Sequence, residues 1–195
     1  MTLIHPKLDN HPLPIVYADE SIVVVNKLPG LLSVPGKSPN TQDCVVNRIR
    51  KQFPWACGPL TPHRLDMATS GLLILGLTRA AHRNLSLQFE LRQVEKTYIA
   101  IVTGIVYQIY GTIKLPLNLD YPNRPRQMVD AKAGKPALTF WEVLQHEGNH
   151  TRIRFHPITG RTHQLRIHSA HPKGLGYSIL GDKLYANDKQ IHTNR

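Results

Sequence analysis

Residues 61–78 read TPHRLDMATSGLLILGLT, and this stretch decides how the chain around it folds. The residues from Leu72 to Leu75 form a short continuous apolar run, which predicts a buried strand. Thr78 follows at the position of a helix N-cap, and the helix that it starts is predicted to reach about Leu91. Its apolar stripe consists of Ala81, Leu85 and Phe89. The stretch therefore predicts a turn that leads into a strand-to-helix unit.

The chain before this unit is predicted to hold one more strand and a short helix. The residues from Ile22 to Val25 indicate a buried strand that ends in Asn26-Lys27, and the proline- and glycine-rich run from Pro29 to Pro39 indicates a loop. Asp43 has the residue type of an N-cap for the helix that follows. The expected apolar face of that helix is Val45, Val46, Ile49 and Phe53, and its expected outer residues are Arg48, Arg50 and Lys51.

The chain after this unit is rich in strand signals. Strands are predicted over residues 96–102, 112–115, 138–144 and 152–155, and a last helix over residues 161–168. Turn and loop signals divide the strands, the stretch 121–134 among them, so antiparallel pairing is expected. Residues 1–14 hold three prolines without periodicity and are interpreted as an N-terminal arm. Residues 15–195 are expected to form a single α+β domain, with a mainly antiparallel mixed sheet flanked by helices and loops.

Composition narrows the class of protein. With 195 residues, of which 41% are hydrophobic, the chain is long enough to bury a core without disulfides. Its longest apolar stretch, residues 71–77, is far shorter than the roughly 20 residues that span a bilayer. No export signal is recognisable at the N-terminus, so a soluble cytoplasmic protein is expected. Cys44 and Cys57 form no Cys-x-x-Cys pair and are expected to be reduced, at least one of them buried.

The charge balance points to a polyanionic partner. The chain has 24 Lys+Arg against 13 Asp+Glu, a formal net charge of +11, which favours nucleic acid. No metal site is expected, because His163, His168 and His171 lie close in sequence without an acidic or cysteine ligand nearby.

Asp66 stands in the most unusual setting of the scarce acidic residues. It lies in the turn-like segment that enters the strand at Leu72, where a rigid sheet end would hold a carboxylate in place. From the residues alone two interpretations stay open: a functional carboxylate, or a turn cap that accepts hydrogen bonds from Thr69 or nearby amides.

His63 and Ser70 would complete the composition of a hydrolase triad with Asp66. Three such residues on one turn disfavour that geometry, so both are expected to be structural.

Several segments, in order along the chain, resemble the signatures of the RluA-type pseudouridine synthases. The central one is His63-Arg64-Leu65-Asp66-x-x-Thr69-Ser70-Gly71. The others are Val25-Asn26-Lys27-x-x-Gly30-Leu31-Leu32-Ser33-Val34-Pro35-Gly36, Lys96-x-Tyr98, Gly160-Arg161-Thr162-His163-Gln164-Leu165-Arg166 and Gly181-Asp182-x-x-Tyr185. Such an ordered set is far more specific than one short pattern. The resemblance is strongest to the members that modify both tRNA and large-subunit rRNA, through Met67-Ala68, residues 121–127 and residues 134–137.

The resemblance implies a role for each matching residue. Asp66 would be the catalytic residue, Arg166 the cation that keeps it ionised, and Tyr98 the ring that stacks on the base. Their ordinary alternatives are a turn cap, a helix-surface arginine and a core tyrosine. Arg64 is suited to enter the gap left by a flipped nucleotide, because a guanidinium plane stacks on bases and reaches phosphate. RNA-binding residues of the basic loop would be Arg124, Arg126 and Lys135, with a solvated loop as the rival interpretation.

The implied reaction turns a uridine into pseudouridine without a change of redox state, so no cofactor and no metal are expected. The base must leave its stack, which costs least in a loop. A hairpin loop of tRNA, of large-subunit rRNA or of both is therefore the expected substrate, RNA the expected partner, and a monomer the expected state.

Two departures from the family pattern keep other hypotheses open. Residues 169–177 are longer than in similar members, and the chain ends at Arg195, where relatives continue with another strand. No S4-type RNA-binding domain is expected before Ile22. A shortened C-terminal end would expose a sheet edge, so the alternative is a catalytically weak or inactive RNA-binding or chaperone-like module. A metal- or triad-dependent hydrolase of phosphoesters is the third hypothesis.

Overall fold

The computed structural model describes residues 12–186. Its described residues divide into two compact units, residues 12–94 and residues 95–186. Most of the predicted N-terminal arm lies outside the described residues, and within its last three positions Leu13 is buried. The boundary between an arm and a domain at residue 15 stays a prediction.

The first unit contains an antiparallel sheet of three strands in the order β1-β2-β3. The strands are β1 (Ile15–Ala18), β2 (Ile22–Lys27) and β3 (Gly71–Gly76). Both predicted strands of this unit are confirmed, and β1 is an additional one. Val23 pairs with Leu75 and Val25 with Leu73, and all four side chains are inaccessible to solvent. Each of these burials stabilises the fold by roughly 1.5–3 kcal/mol.

The register of this sheet places two motif segments side by side. Lys27, the last residue of β2, lies opposite Gly71, the first residue of β3. Because the segment that carries Asp66 enters β3 at Gly71, that segment lies at the same sheet end as the loop that leaves β2.

The first unit also holds two α-helices, α1 (Val45–Gln52) and α2 (Arg79–Glu90). Thr78 caps α2 as predicted, since its side-chain oxygen accepts a hydrogen bond from the backbone N–H of Ala81 at 3.1 Å. The end of α2 at Glu90, with Leu91 as C-cap, also agrees with the sequence. The stripe of Ala81, Leu85 and Phe89 is half-buried.

The predicted cap of α1 was wrong. Cys44 is the N-cap, and its Sγ accepts a hydrogen bond from the backbone N–H of Asn47 at 3.4 Å. Asp43 instead accepts hydrogen bonds from Arg48 Nε at 2.7 Å and Arg48 Nη2 at 2.6 Å. Arg48 was predicted to lie on the outer face of this helix. That prediction was wrong, because the ion pair with Asp43 leaves the Arg48 side chain only 13% exposed.

The second unit is dominated by an antiparallel sheet of four strands in the order β4-β9-β8-β5, accompanied by a two-stranded hairpin, β6-β7. The elements are β4 (Tyr98–Val102), β5 (Tyr110–Lys114), β6 (Leu117–Leu119), β7 (Gln127–Val129), β8 (Leu138–Glu147), β9 (His150–Pro157) and α3 (Gln164–Ala170). One face of the sheet covers a core that includes Val102, Ile113, Trp141, Ile153 and Phe155. The antiparallel α+β architecture predicted from the sequence is thereby confirmed.

Three elements of the second unit differ from the prediction. β6 was not predicted, β7 lies inside residues 121–134, which were predicted to be a loop, and α3 begins at Gln164 rather than at Arg161. The start of α3 is fixed by the Gln164 side chain, which is buried. Its Oε1 accepts hydrogen bonds from Arg161 N at 3.0 Å and Thr159 Oγ1 at 2.7 Å, and its Nε2 donates to Leu138 O at 3.0 Å.

Candidate active site

Asp66 is a half-buried residue whose peptide neighbours are both held in place. The backbone N–H of Thr69 donates to the carbonyl oxygen of Asp66 at 3.0 Å and closes the turn. On the preceding side, buried Ser33 makes two hydrogen bonds to the backbone of Leu65: its Oγ donates to the carbonyl oxygen at 2.7 Å and accepts from the N–H at 3.1 Å. The Gly30 to Gly36 loop thus fixes the chain immediately before Asp66.

Lys27 fixes the chain immediately after Asp66. Its side chain is fully buried, and its Nζ donates to the carbonyl oxygens of Leu28, Leu31 and Met67 at 3.0, 2.8 and 3.1 Å. The N–H of Gly30 donates to the same Met67 oxygen at 2.8 Å. Three acceptors match the three donors of an ammonium group, so the first motif and the aspartate motif are joined through one cation.

Burial lowers the pKa of Lys27 to about 8, because desolvation disfavours the charged amine. The negative charge of Asp66 acts in the opposite direction and raises it. The two residues are thus electrostatically coupled, although sequence reasoning assigned no role to Lys27. The signal was present in the segment Val25-Asn26-Lys27, where a lysine ends a buried strand.

The neighbours of Asp66 in the motif lie in different surroundings. His63 stacks on Phe89 of α2 with ring centroids 4.4 Å apart, and its Nε2 accepts a hydrogen bond from the backbone N–H of Ile74 at 3.3 Å. These contacts support the structural role expected for His63. Arg64 is exposed, next to the buried Leu65. Ser70 is exposed as well.

Arg166 lies on α3 in the second unit and is held by two residues of the last motif. Its Nε and Nη2 donate to the two carboxylate oxygens of Asp182 at 2.7 and 2.9 Å. Its Cζ lies 5.0 Å from the centroid of the Tyr185 ring. Burial raises the pKa of Asp182, but the hydrogen bonds from Arg166 and from the N–H groups of Leu184 and Tyr185 outweigh it, so the net pKa lies below its ordinary value.

Tyr185 joins the start of β7 to the segment that leads into α3. Its hydroxyl accepts a hydrogen bond from the N–H of Gln127 at 2.8 Å and lies 2.7 Å from Nδ1 of His163. The guanidinium carbon of Arg126 lies 5.4 Å from the centroid of its ring. Sequence reasoning quoted Asp182 and Tyr185 as part of a motif but gave them no task. The structure assigns them one, which is to orient Arg166.

The remaining predicted site residues also belong to the second unit. Tyr98 is half-buried at the start of β4, opposite Phe155 of β9, and packs against the core of the sheet. Arg124 is exposed, with its Cζ 4.4 Å from the centroid of the Tyr121 ring, and Lys135 is exposed beside β6. Within this unit Arg126 and Arg166 meet at Tyr185. Asp66 and Arg64 belong to the first unit, and the pairing of Asp66 with Arg166 stays a prediction.

Among residues 12–186, no group of three or more His, Cys, Asp or Glu side chains could hold a metal ion. No helix in that range is long and apolar enough to cross a bilayer. Both cysteines are free, Cys44 buried and Cys57 exposed, in agreement with the sequence.

Comparison with known proteins gives a consistent result. Residues 21–171 match the model of the RNA pseudouridylate synthase family. Curated relatives named dual-specificity RNA pseudouridine synthase RluA include those of Yersinia pestis (48% identity, 89% of this chain and 82% of the relative) and Escherichia coli K12 (47%, 90% and 78%). The relative from Haemophilus ducreyi is 47% identical over 94% of this chain and 81% of its own length.

Solved structures agree with this result. Human RNA pseudouridylate synthase domain containing 1 matches with a TM-score of 0.74 and 28% identity, over 94% of this chain and 73% of the human chain. Human RNA pseudouridylate synthase domain containing 4 matches with a TM-score of 0.71 and 25% identity, over 91% of this chain and 70% of the human chain. These matches do not favour the alternative of a non-catalytic RNA-binding module. The chain belongs to the RNA pseudouridylate synthase family, and it is a pseudouridine synthase that acts on RNA.

Proposed function

We propose that this enzyme isomerises a specific uridine in a hairpin loop of tRNA, of large-subunit rRNA or of both, with Asp66 as the catalytic residue. The observation that carries the proposal is the identity of 47–48% to relatives named dual-specificity synthases, over about nine-tenths of the chain. The Asp66 motif and three of the four other motifs lie within residues 21–171, which match the family model. A loop nucleotide is the substrate because its base leaves the stack at the lowest cost.

The reaction breaks the bond from C1′ of ribose to N1 of uracil and forms a bond from C1′ to C5. N1 gains a proton and C5 loses one, so no electrons and no cofactor are needed. An ionised Asp66 serves the reaction by adding to the base, by attacking C1′ or by removing the 2′ proton. Each route requires a carboxylate held in a fixed direction, and the hydrogen bonds of Ser33 and Lys27 on either side of Asp66 supply this rigidity.

Arg166 is proposed to keep Asp66 ionised when the base closes the pocket. A carboxylate shielded from water stays charged only with a cation or donors nearby. Asp182 and Tyr185 orient the guanidinium of Arg166, and Asp182 takes two of its five N–H donors. Arg166 would then serve two carboxylates, one that positions it and one that reacts.

The other predicted residues complete the proposal. Tyr98 offers a flat face for the flipped uracil, and the exposed Arg64 enters the gap that the base leaves in the RNA. The backbone of the RNA is bound by Arg124, Arg126 and Lys135.

Tritium release tests the proposal directly. Unmodified tRNA and rRNA hairpin transcripts labelled with tritium at C5 of uracil should lose label to water when they are incubated with the enzyme. Asp66→Asn should abolish release. Asp43→Asn, which removes the same charge from a carboxylate paired with Arg48 in the same unit, should retain it. Release that survives in Asp66→Asn would contradict the assignment, and tight binding without release by the wild type would support the RNA-binding alternative.

The target nucleotide can be found in cells. Chemical derivatisation of pseudouridine in total RNA, followed by mapping in cells with and without the gene, should reveal one or a few positions that depend on this enzyme. Loss of signal in hairpin loops of tRNA or rRNA is the expected outcome, and positions confined to paired segments would contradict the loop proposal.

A further inference from the structure

The second unit contains a cavity that the proposed chemistry does not use. It measures about 290 Å³, near the lower end of the range for small-ligand sites, which suits one nucleotide. It opens between the β6-β7 hairpin and the segment that leads into α3. The lining residues that carry the argument are Leu117, Leu119, Gln127, Lys135, Arg161 and Thr162. All of these residues belong to the second unit.

Among the described residues, the charge of this cavity is uncompensated. Lys135 and Arg161 both line it, and none of its lining residues within 12–186 is acidic. Within residues 12–186, Lys135 Nζ has no hydrogen-bond partner, and the one side-chain bond of Arg161 goes from Nε to the carbonyl oxygen of Pro136 at 3.1 Å. Two cations that face the same cavity without a carboxylate form a site for an anion of at least one negative charge.

Both cations are carried by firmly held backbone. The N–H and carbonyl oxygen of Lys135 exchange hydrogen bonds with Leu117 of β6 at 2.8 and 2.9 Å. The N–H of Arg161 donates to buried Gln164 at 3.0 Å, which fixes the segment before α3. The backbone that carries the two cations is therefore in place before any ligand arrives, which lowers the entropy lost on binding.

The rest of the cavity suits a nucleobase and ribose. Leu117 is buried and Leu119 half-buried, so they supply an apolar wall. The half-buried Gln127 brings a side-chain amide, which can donate to and accept from the edge of a base, and Thr162 brings a hydroxyl. The backbone N–H of Gln127 is bonded to Tyr185, which also stacks with Arg166, so the cavity adjoins the group that orients the proposed counter-ion of Asp66.

We propose that this cavity binds a second nucleotide of the substrate RNA, apart from the uridine that reacts. Its phosphate is held by Lys135 and Arg161, and its base lies against Leu119 with an edge toward Gln127. This inference rests on the proposed function in taking RNA as the ligand and Lys135 as a residue that binds its backbone. The cavity then contributes to target choice, because the enzyme engages the RNA at two nucleotides a fixed distance apart.

Binding is measured with unmodified tRNA transcripts in the Asp66→Asn background, so that turnover does not interfere. Lys135→Ala and Arg161→Gln should each raise Kd about tenfold, since a charge-assisted hydrogen bond is lost. Each should also make the slope of log affinity against log salt shallower by about 1. The matched control is Lys132→Ala, an exposed lysine of the same connection that does not line the cavity. It should leave Kd and slope almost unchanged.

A substitution that fills the cavity without changing charge separates this site from a diffuse basic surface. Thr162→Phe should weaken binding and flatten the slope as the cation variants do, with thermal unfolding showing that it is folded. The proposal is overturned if Thr162→Phe leaves affinity unchanged or if Lys132→Ala weakens binding as much as Lys135→Ala. Tritium release by the enzyme with Asp66 intact is measured in parallel. If no tritium is released but the cavity variants still weaken RNA binding, the proposed reaction is contradicted and the proposed nucleotide site is not.

Discussion

Lys27 is a buried ammonium group whose protonation should control the position of Asp66. As pH rises through about 8, the pKa of Lys27, the amine loses one of the three donors that hold Leu28, Leu31 and Met67. The turn that carries Asp66 should then loosen, and kcat should fall on the alkaline side. Lys27→Met should lower kcat by about 10- to 100-fold at pH 7 and remove this alkaline limb, because misplacement by 1 Å can cost that much.

pH profiles of kcat for the wild type, Lys27→Met and Lys37→Met check this prediction. The exposed Lys37→Met should keep the alkaline limb of the wild type. The free energy of unfolding should rise with pH over the range in which kcat falls, since the pKa of Lys27 is lower in the folded state than its ordinary 10.5. The charged form destabilises the fold below about pH 8, and this penalty disappears as pH rises toward 10.5. An alkaline limb that persists in Lys27→Met would show that another group causes it.

His168 is expected to make the fold sensitive to acid. It is fully buried on α3, where its Nδ1 lies 2.9 Å from Thr139 Oγ1 and its Nε2 lies 3.3 Å from the carbonyl oxygen of Leu115. Burial lowers its pKa to about 4 from 6.5, so the unfolded chain takes up a proton first as pH falls. The free energy of unfolding should therefore drop by about 3 kcal/mol between pH 6.5 and pH 4.

Urea unfolding at a series of pH values measures this effect. His168→Gln should lose stability at pH 7, because two buried hydrogen bonds change, but its stability should depend less steeply on pH below 6.5. His150→Gln, at the half-buried start of β9, should retain the wild-type dependence. Equal pH dependence in all three proteins would contradict the assignment to His168.

At the scale of elements, the strand-to-helix unit of β3 and α2 depends on one glycine. A Cβ added at Gly76 would lie 2.7 Å from Cα of His82 and 3.0 Å from the carbonyl carbon of Ala81, both backbone atoms of α2. Since backbone cannot rotate away, α2 must shift, and Gly76→Ala should destabilise the protein by about 1–3 kcal/mol. Gly160→Ala, where nothing lies within 4 Å, is the control for urea unfolding. If neither Gly76→Ala nor Gly160→Ala changes the midpoint of urea unfolding, α2 adjusts to the added Cβ without a loss of stability.

The elements also show what the sequence could and could not predict. β2, β3 and α2 were predicted because their hydrophobic runs and the cap at Thr78 are local signals that agree with the tertiary structure. β7 was missed because three residues in a proline- and arginine-rich stretch carry no periodicity, and their strand form depends on pairing with β6. Cys44 displaced Asp43 as a cap because Asp43 is bound by Arg48, a contact that residue type alone does not reveal.

The candidate site likewise contains residues that the sequence indicated and residues that it did not. Motif resemblance indicated Asp66, Tyr98 and Arg166, because each lies in a short motif and these motifs follow one another in order along the chain. It did not indicate what holds them, since Ser33 and Lys27 act on Asp66 through backbone carbonyl and amide groups of neighbouring residues. Supporting contacts of this kind depend on which loop lies beside which, and that is a property of the folded chain.

At the scale of the whole molecule, the net charge of +11 should dominate affinity for RNA, while Asp66, the proposed catalytic residue, should determine the chemistry. If about four to six phosphates are neutralised, affinity should fall roughly 10²-fold or more between 50 and 200 mM salt, because bound counterions are released. Filter binding of hairpin transcripts across that range measures the slope. Asp66→Asn should show a slope as steep as the wild type and equal or tighter binding, since it removes one negative charge without removing a cation. A flat salt dependence would contradict the electrostatic account, and binding lost in Asp66→Asn would show that the carboxylate holds the RNA rather than reacting with it.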